Sequence, residues 1–210
     1  MAYDLEEQEQ IATLKAWWND NGTLLLSLIT AVAVAVAGWQ GWRIWQANQA
    51  LQAGALYETL LRALQAGDAK GLRDAGGSLA ENYPRTLYAS MGALAAARFH
   101  FERADLKNTK AQLQWVLERS PSEELREVAR LRLAAVLLDE KAHDEALALL
   151  EAKHAASLEA QYAALKGDLM VAKNRSADAK AAYRLALEKA DAKSGAFRDS
   201  VRLRLDALGG

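Results

Sequence analysis

The 210-residue chain has no cysteine and only two prolines. The missing cysteines exclude disulfides, thiol nucleophiles and thiolate metal sites, and they are compatible with an oxidising compartment. Scarce proline, with alanine and leucine in abundance, favours an all-α fold. The net charge is only −1. A chain with no basic excess lacks the usual electrostatic basis for binding nucleic acid, so we expect no nucleic-acid partner.

Motifs for catalysis are missing as well. The three histidines, His100, His143 and His154, have no metal-ligand spacing between them. The carboxylate pairs Glu123-Glu124 and Asp139-Glu140 fall at a predicted helix start and a predicted hairpin turn, where capping and solvation are their ordinary roles. No phosphate-binding loop or nucleophile elbow occurs. We therefore predict that the protein is not an enzyme and has no metal or cofactor.

One long hydrophobic run dominates the sequence. Residues 24–39 contain neither charge nor proline, and 20 helical residues span about 30 Å, the thickness of a bilayer core. Five of the six tryptophans bracket the run, as membrane-interface residues do. Ser27 and Thr30 can bond back to carbonyls one turn earlier. We predict a transmembrane helix over residues 23–45, with anchor residues Leu24, Leu28, Val32, Val36, Trp39, Trp42 and Trp45.

Two alternatives to an anchor are a buried core helix and a cleaved signal peptide. The run is apolar on all sides, unlike most core helices. Ala35-Val36-Ala37 resembles a cleavage site, but the preceding region is acidic rather than basic. The flanks contain one basic residue each, Lys15 and Arg43, so charge leaves the orientation open.

The segment before the span, residues 1–22, is a short acidic tail. Residues 4–18 can form a helix, either an interfacial lead-in or a contact for a partner. The sequence Asn19-Asp20-Asn21-Gly22 predicts a break or a cap before the span.

Helical periodicity continues after the span. We predict connecting helices over 46–85 and a repeat domain over 86–210. Ser120 is the predicted cap of a helix that begins with Pro121, with Glu123 closing a capping box. The helices of the repeat domain are predicted at about 86–102, 105–119, 123–139, 142–153, 157–172, 175–190 and 195–208.

The helices pair with a period near 35 residues. Ala111, Ala146 and Ala181 are 35 residues apart, and the stretches that follow them overlay without gaps, with Leu113/Ala148/Tyr183 and Leu117/Ala152/Leu187 in register. A helix pair recurring at about 34 residues is typical of tetratricopeptide repeats. We therefore predict an α-solenoid of stacked hairpins, with a non-repeating bundle as the alternative.

The order of features resembles the YfgM family, the ancillary subunits of the bacterial SecYEG translocon. An acidic tail, Asn21-Gly22 and one apolar span are followed by Gly41-Trp42-Arg43-Ile44-Trp45, a long helix and weak repeats. Residues 131–134 and 166–169 also match residues of that family. The resemblance covers essentially the whole chain.

This resemblance implies an inner-membrane protein with a cytoplasmic tail and a periplasmic repeat domain. It implies that the domain stands at the SecYEG translocon with the membrane-anchored chaperone PpiD and helps to pass emerging chains to periplasmic chaperones. The alternative is a scaffold of opposite topology that recruits soluble partners in the cytoplasm. Membrane lipid is an expected partner in either case.

Binding is the remaining role for the repeat domain. The first helices of stacked hairpins line a concave surface, and aromatic, Met and Arg side chains adapt well to partners. Core packing is the alternative role for each residue at helical spacing. The candidate partner-binding residues are Tyr88, Met91, Arg98, Phe99, Arg130, Leu133, Tyr162 and Met170.

Overall fold

The computed structural model describes the backbone of residues 2–209 and the side chains of residues 9–209. Every regular element in this part of the chain is helical, as predicted, and the chain divides into two compact units between Gln49 and Ala50. The α-helices are α1 (Ala2–Ala66), α2 (Ala69–Asn82), α3 (Leu87–Phe101), α4 (Leu106–Arg119), α5 (Glu123–Asp139), α6 (His143–Leu150), α7 (Glu159–Ala172), α8 (Ser176–Lys189) and α9 (Gly195–Ala207). A single 3₁₀ turn, Ala156–Leu158, precedes α7.

From Ala2 onward the first unit is one continuous helix, so the predicted break or cap at residues 19–22 is wrong. The Asn21 side-chain amide donates to the Trp17 carbonyl at 3.0 Å. Gly22 has no Cβ, which leaves room for the Trp18 indole; a Cβ there would lie 3.1 Å from the ring. Asn and Gly each disfavour a helix by no more than about 1 kcal/mol, too little to interrupt so long a helix. The predicted acidic residues before Glu9 lie outside the described side chains.

The predicted span exposes its apolar side chains. Leu28 is 58% exposed and Val36 is 48% exposed. The other predicted anchor residues are exposed to similar degrees. The Ser27 hydroxyl donates to the Leu24 carbonyl and Thr30 to the Leu26 carbonyl, both at 2.8 Å, as predicted. This exposure argues against a core helix. Residues 9–209 thus contain one helix, near the N-terminus, that is long and apolar enough to cross a membrane.

In the second unit, four helical hairpins are closed by turns of the same geometry. One residue with positive φ follows the first helix of each pair, at Gly67, Ala104, Lys141 and Asn174. Its N–H donates to the carbonyl three residues earlier, and the next N–H donates to the carbonyl five residues earlier. This is the Schellman arrangement that ends many helices. Only Gly67 avoids the steric cost of left-handed backbone.

The turns correct the register of the repeat. Their spacing is 37, 37 and 33 residues, which averages close to the predicted period but is not uniform. Ala111, Ala148 and Ala181 each lie seven residues after a turn and are exposed, whereas Ala146 is buried. The equivalent of Ala111 is therefore Ala148. The sequence overlay placed the middle hairpin two residues out of register because alanine is frequent on both faces of these helices.

The same correction explains the buried positions of the second helices. Leu113, Leu150 and Tyr183 each lie nine residues after a turn, and all three are buried. They replace the predicted set Leu113/Ala148/Tyr183. Large side chains at equivalent positions of the second helices therefore belong to one shared hydrophobic core.

Two hydrophobic clusters run through the second unit. The first joins the end of α1 to α2 and α3, with Leu60 and Leu79 at its centre. The second runs from α3 to α9 and includes Leu113, Leu133 and Tyr183. Trp115 packs against both clusters, so the hairpins share one continuous apolar interior.

Side-chain caps fix several helix starts. Ser122, not Ser120, caps α5: its hydroxyl accepts from the Leu125 N–H at 3.2 Å and donates to the Glu124 carboxylate at 2.6 Å. Ser120 instead ends α4, and its hydroxyl accepts from the Ser122 N–H. The predicted capping box is wrong because the chain between α4 and α5 remains extended through Ser122.

Candidate partner-binding surface

The predicted binding residues divide into a buried and an accessible group. Phe99, Leu133, Tyr162 and Met170 expose 4% or less of their surface and belong to the core. Their alternative role, core packing, is the one the structure supports. Tyr88, Met91 and Arg98 are exposed, and Arg130 is half-buried. A helix of this fold buries two faces against neighbouring helices and leaves a third face accessible. Sequence periodicity alone does not show which face is the accessible one.

Tyr88 and Met91 form part of an exposed apolar patch at the start of α3. The Tyr88 ring lies 5.7 Å from the Tyr57 ring, centroid to centroid, and rests close to Gly54. Tyr88 is 36% exposed and Met91 is 39% exposed. Together with the exposed Leu87 they present aromatic and flexible apolar surface, the composition that protein interfaces favour.

Phe99 and Arg103 stabilise the end of α3. The Arg103 guanidinium lies 3.5 Å from the Phe99 ring centroid and donates to the Phe99 carbonyl at 3.2 Å. The cation–π contact on the ring face and the hydrogen bond join Arg103, which follows α3, to the last turn of that helix. Phe99 is therefore a structural residue in this conformation.

Tyr162 links α7 to α5 and to the connection before α7. Its hydroxyl donates to the Glu127 carbonyl at 3.1 Å, and its ring stacks on His154 at 3.9 Å. Burial raises the pKa of the Tyr162 hydroxyl. The buried Glu127 carboxylate accepts from the Ala155 N–H at 2.9 Å, and Arg130 donates to the Lys153 carbonyl. These bonds anchor the loop between α6 and α7.

His154 has a structural environment. Its Nδ1 lies 3.0 Å from the Ala152 carbonyl oxygen and its Nε2 lies 3.0 Å from the Glu159 carboxylate. His100 lies 3.1 Å from the Asp105 carboxylate. Across residues 9–209, no group of three or more His, Asp or Glu side chains is arranged to hold a metal ion.

A second buried tyrosine, Tyr183, was not among the predicted binding residues and links α7, α8 and α9. The Tyr183 hydroxyl donates to the Asp168 carboxylate at 2.7 Å, and Arg204 donates to the other carboxylate oxygen at 2.8 Å. Burial, with the hydrogen bond to Asp168, raises the pKa of Tyr183 well above its ordinary range. The ring lies against Gly167, where a Cβ would approach within 2.4 Å. Glycine at this position therefore permits the close contact of α7 with α8.

Exposed ion pairs join successive hairpins. Lys173 donates to Asp144 at 2.6 Å, and the hydrogen bond to this ammonium lowers the pKa of the Asp144 carboxyl. Lys110 pairs with Glu140 at the same distance. These contacts connect the surfaces of neighbouring hairpins across gaps of about 30 residues in sequence.

A groove lies between α3 and α5, above α4, with a volume of about 300 Å³. Buried Ala97, Leu113 and Val136 are among its lining residues, and half-exposed Phe101 contributes a wall. Among the residues that line it, the charged ones are both arginines, Arg98 and Arg132. Of these lining residues only Arg98 was predicted. The signal in the sequence that could have indicated the groove is an aromatic residue, Phe101, at the end of a predicted helix.

An exposed apolar helix followed by stacked helical hairpins is the architecture of a membrane-anchored helical-repeat protein. Such proteins act by presenting surfaces to other macromolecules. Neither the repeat fold nor the side-chain clusters described above indicate an enzymatic activity.

The comparisons with known proteins give the family. The model of the family "Tetratricopeptide repeat-like domain" matches residues 15–210. A protein of Haemophilus influenzae named "Ancillary SecYEG translocon subunit" is 34% identical over 87% of this chain and 89% of its own length. Proteins of the same name from Aggregatibacter actinomycetemcomitans and Neisseria gonorrhoeae are 30% and 29% identical over 99% of this chain and their full length. The chain belongs to the tetratricopeptide repeat-like family of ancillary SecYEG translocon subunits.

Proposed function

We propose that this chain is a single-pass subunit of the bacterial inner membrane that serves SecYEG from the periplasmic side. Residues 23–45 anchor it in the lipid, and residues 1–22 lie in the cytoplasm. The hairpins of the second unit, which include the predicted connecting helices of 46–85 and the predicted repeat domain of 86–210, lie in the periplasm. There the domain binds protein partners, among them a membrane-anchored chaperone of the PpiD type, and helps to hand translocated chains to periplasmic chaperones.

The observation that carries the proposal is the contrast between the exposed span and the packed hairpins. The span presents leucine, valine and tryptophan on all sides, which suits lipid and not water. The hairpins bury hydrophobic cores and still expose Tyr88, Met91 and Arg98, residue types that adapt to partner proteins. The relatives named for the SecYEG translocon support translocon association.

A pair of reporter fusions after Gly210 tests the orientation. We expect alkaline phosphatase, which is active only outside the cytoplasm, to be active, and a cytoplasm-dependent fluorescent protein to be dark. The reverse pattern would support the alternative topology, a cytoplasmic scaffold, and would refute the periplasmic assignment. A variant with three lysines added before Thr23 should retain the expected orientation, since basic residues favour the cytoplasmic side.

Affinity purification in mild detergent tests the association. We expect SecYEG subunits and the membrane-anchored chaperone to copurify with the tagged full chain. The test variant is Tyr88→Ser with Met91→Ser. It should no longer copurify with the chaperone, while remaining folded and membrane-bound like the unmodified chain. Good recovery of the chain without any translocon subunit would contradict the proposal.

A further inference from the structure

The groove between α3 and α5 combines an apolar floor with positive charge at its edge. Leu113 is 1% exposed and Val136 is 4% exposed, so the floor consists of the side chains that also form the core. A floor of this kind is fixed by the packing of three helices and does not depend on a loop. Phe101, 44% exposed, contributes apolar surface that water contacts when the groove is empty.

The size of the groove limits what it can receive. At about 300 Å³ it lies at the lower end of the range for ligand pockets. One aromatic or branched aliphatic side chain with part of its backbone fits such a volume, whereas a large cofactor needs more. The groove is open to the surface along α3 and α5, so an entering side chain can belong to a longer polypeptide.

The charge at the edge of the groove indicates which residue of a bound segment lies next to the side chain that enters the groove. Arg132 makes no ion pair with any described residue, and Arg98 pairs only with Glu102, at 2.8 Å. The Arg98 and Glu102 side chains are 78% and 53% exposed, and such surface pairs are weak. Two guanidinium groups beside an apolar groove therefore present a net positive edge, which favours carboxylates.

We propose that the α3–α5 groove binds a partner protein segment in which an aromatic or branched apolar residue is followed or preceded by a glutamate or aspartate. The apolar side chain enters the groove between Phe101 and Val136, and the carboxylate pairs with Arg132 and Arg98. This proposal rests on the proposed function, since it names the kind of segment that the repeat domain recognises.

Peptide binding to the full chain in lipid nanodiscs tests the proposal. The probe is a fluorescein-labelled decapeptide of serine and glycine with one phenylalanine flanked by two glutamates. Two control peptides carry lysine in place of both glutamates, or serine in place of phenylalanine. We expect the acidic apolar peptide to bind at least tenfold more tightly than either control, as measured by fluorescence anisotropy, and its binding to weaken as salt is raised.

Variants assign the binding to the groove. Arg132→Glu reverses the charge at an exposed position, and we expect it to weaken binding at least tenfold. Ala135→Phe fills the groove and should have a similar effect, while Arg132→Gln should have a smaller one. Arg73→Glu, on the exposed surface of α2, is the matched control and should change binding by less than twofold. Circular dichroism should show that all four variants retain the wild-type helix content.

Equal binding of the three peptides, no binding of any of them, or equal effects of Arg132→Glu and Arg73→Glu would overturn the proposal. A shift from dimer to monomer caused by Arg132→Glu, with peptide binding unchanged, would overturn it by assigning the groove to a second copy of the chain. The experiment uses purified chain without translocon. Failure of SecYEG to copurify in the test above therefore leaves this result intact, and failure here leaves translocon association intact.

Discussion

The span in α1 and the hairpins of the second unit contain similar apolar side chains, but the span exposes them and the hairpins bury them. Both segments are rich in alanine and leucine. In residues 24–45 the leucines and valines are mostly exposed, whereas in α3–α9 they lie against one another. Leu28 and Leu113 illustrate this contrast, with exposures of 58% and 1%.

Similar amino-acid composition therefore occurs with exposed side chains in one segment and with buried side chains in the other. Exposing a helix that is apolar on every side to water is unfavourable. The same helix is stable in lipid, because its backbone hydrogen bonds are all made within the helix. The hairpin helices have one polar face each and must bury the others against protein. Substitutions that move polarity or volume between these settings therefore test the comparison directly.

The largest effect is expected from charge in the span. Val32→Arg with Val36→Arg places two guanidinium groups near the centre of the bilayer, at a cost of about 2.5–3.5 kcal/mol each. We expect the double variant to leave the membrane fraction in carbonate extraction. Leu203→Arg, at a site that is 72% exposed in α9, is the control and should remain in the membrane. Retention of the double variant would contradict a lipid-embedded span.

Truncating one leucine in the hairpin core and one in the span distinguishes a side chain that stabilises the folded domain from one that does not. Leu113→Ala removes a buried side chain and should destabilise the hairpin domain by about 2–5 kcal/mol. Leu28→Ala should leave the domain's stability unchanged. Hydrogen exchange of the α4 and α5 amides in the full chain measures both. Equal protection in the two variants would show that Leu113 is not part of the cooperative core.

Alanine substitutions at two glycines compare a position in a tight helix contact with a position that has open space around it. Gly167→Ala forces a Cβ against the Tyr183 ring and should destabilise by about 1–3 kcal/mol. Gly77→Ala, in α2, adds a Cβ with no neighbour within 4 Å and should stabilise by up to about 1 kcal/mol. Urea denaturation followed by circular dichroism measures the two shifts. A destabilising Gly77→Ala would indicate packing on α2 that the described residues do not account for.

The smallest effect concerns an exposed ion pair between hairpins. Lys173 lowers the pKa of Asp144 below its ordinary value of 3.8, so the pair stabilises the fold above that value and loses its effect as pH falls through the folded pKa. Lys173→Met should raise the pKa of Asp144 in an NMR titration, and its stability should converge with wild type in acid. Lys107→Met is the control and should leave the Asp144 titration unchanged.

The sequence was sufficient for the elements and insufficient for their contacts. Helix periodicity located α3–α9 to within a few residues, because each helix carries a regular apolar stripe. It failed at residues 19–22, where local helix-breaking residues were outweighed by the helices on either side, and at Ser120, where two serines compete to cap one helix. Local propensities of about 1 kcal/mol do not settle such choices.

For the candidate binding surface the outcome depends on which face each helix turns outward. Arg98 lines the groove as an exposed residue, whereas Leu133 and Tyr162, with the same periodicity, lie in the core. Arg132 also lines the groove and was not among the predicted binding residues. A helix packed between two neighbours has two apolar faces, so periodicity cannot select the accessible one.

By itself the sequence determined that the chain is all-helical, that one helix can cross a membrane and that the remainder forms hairpins, because these properties follow from the local pattern of apolar residues. Only the tertiary structure decided the 37, 37 and 33-residue register, the contact of Gly167 with Tyr183 and the arginine-edged groove. These depend on side chains from different helices meeting in space, and the packing of whole helices, not their local sequence, determines which ones meet.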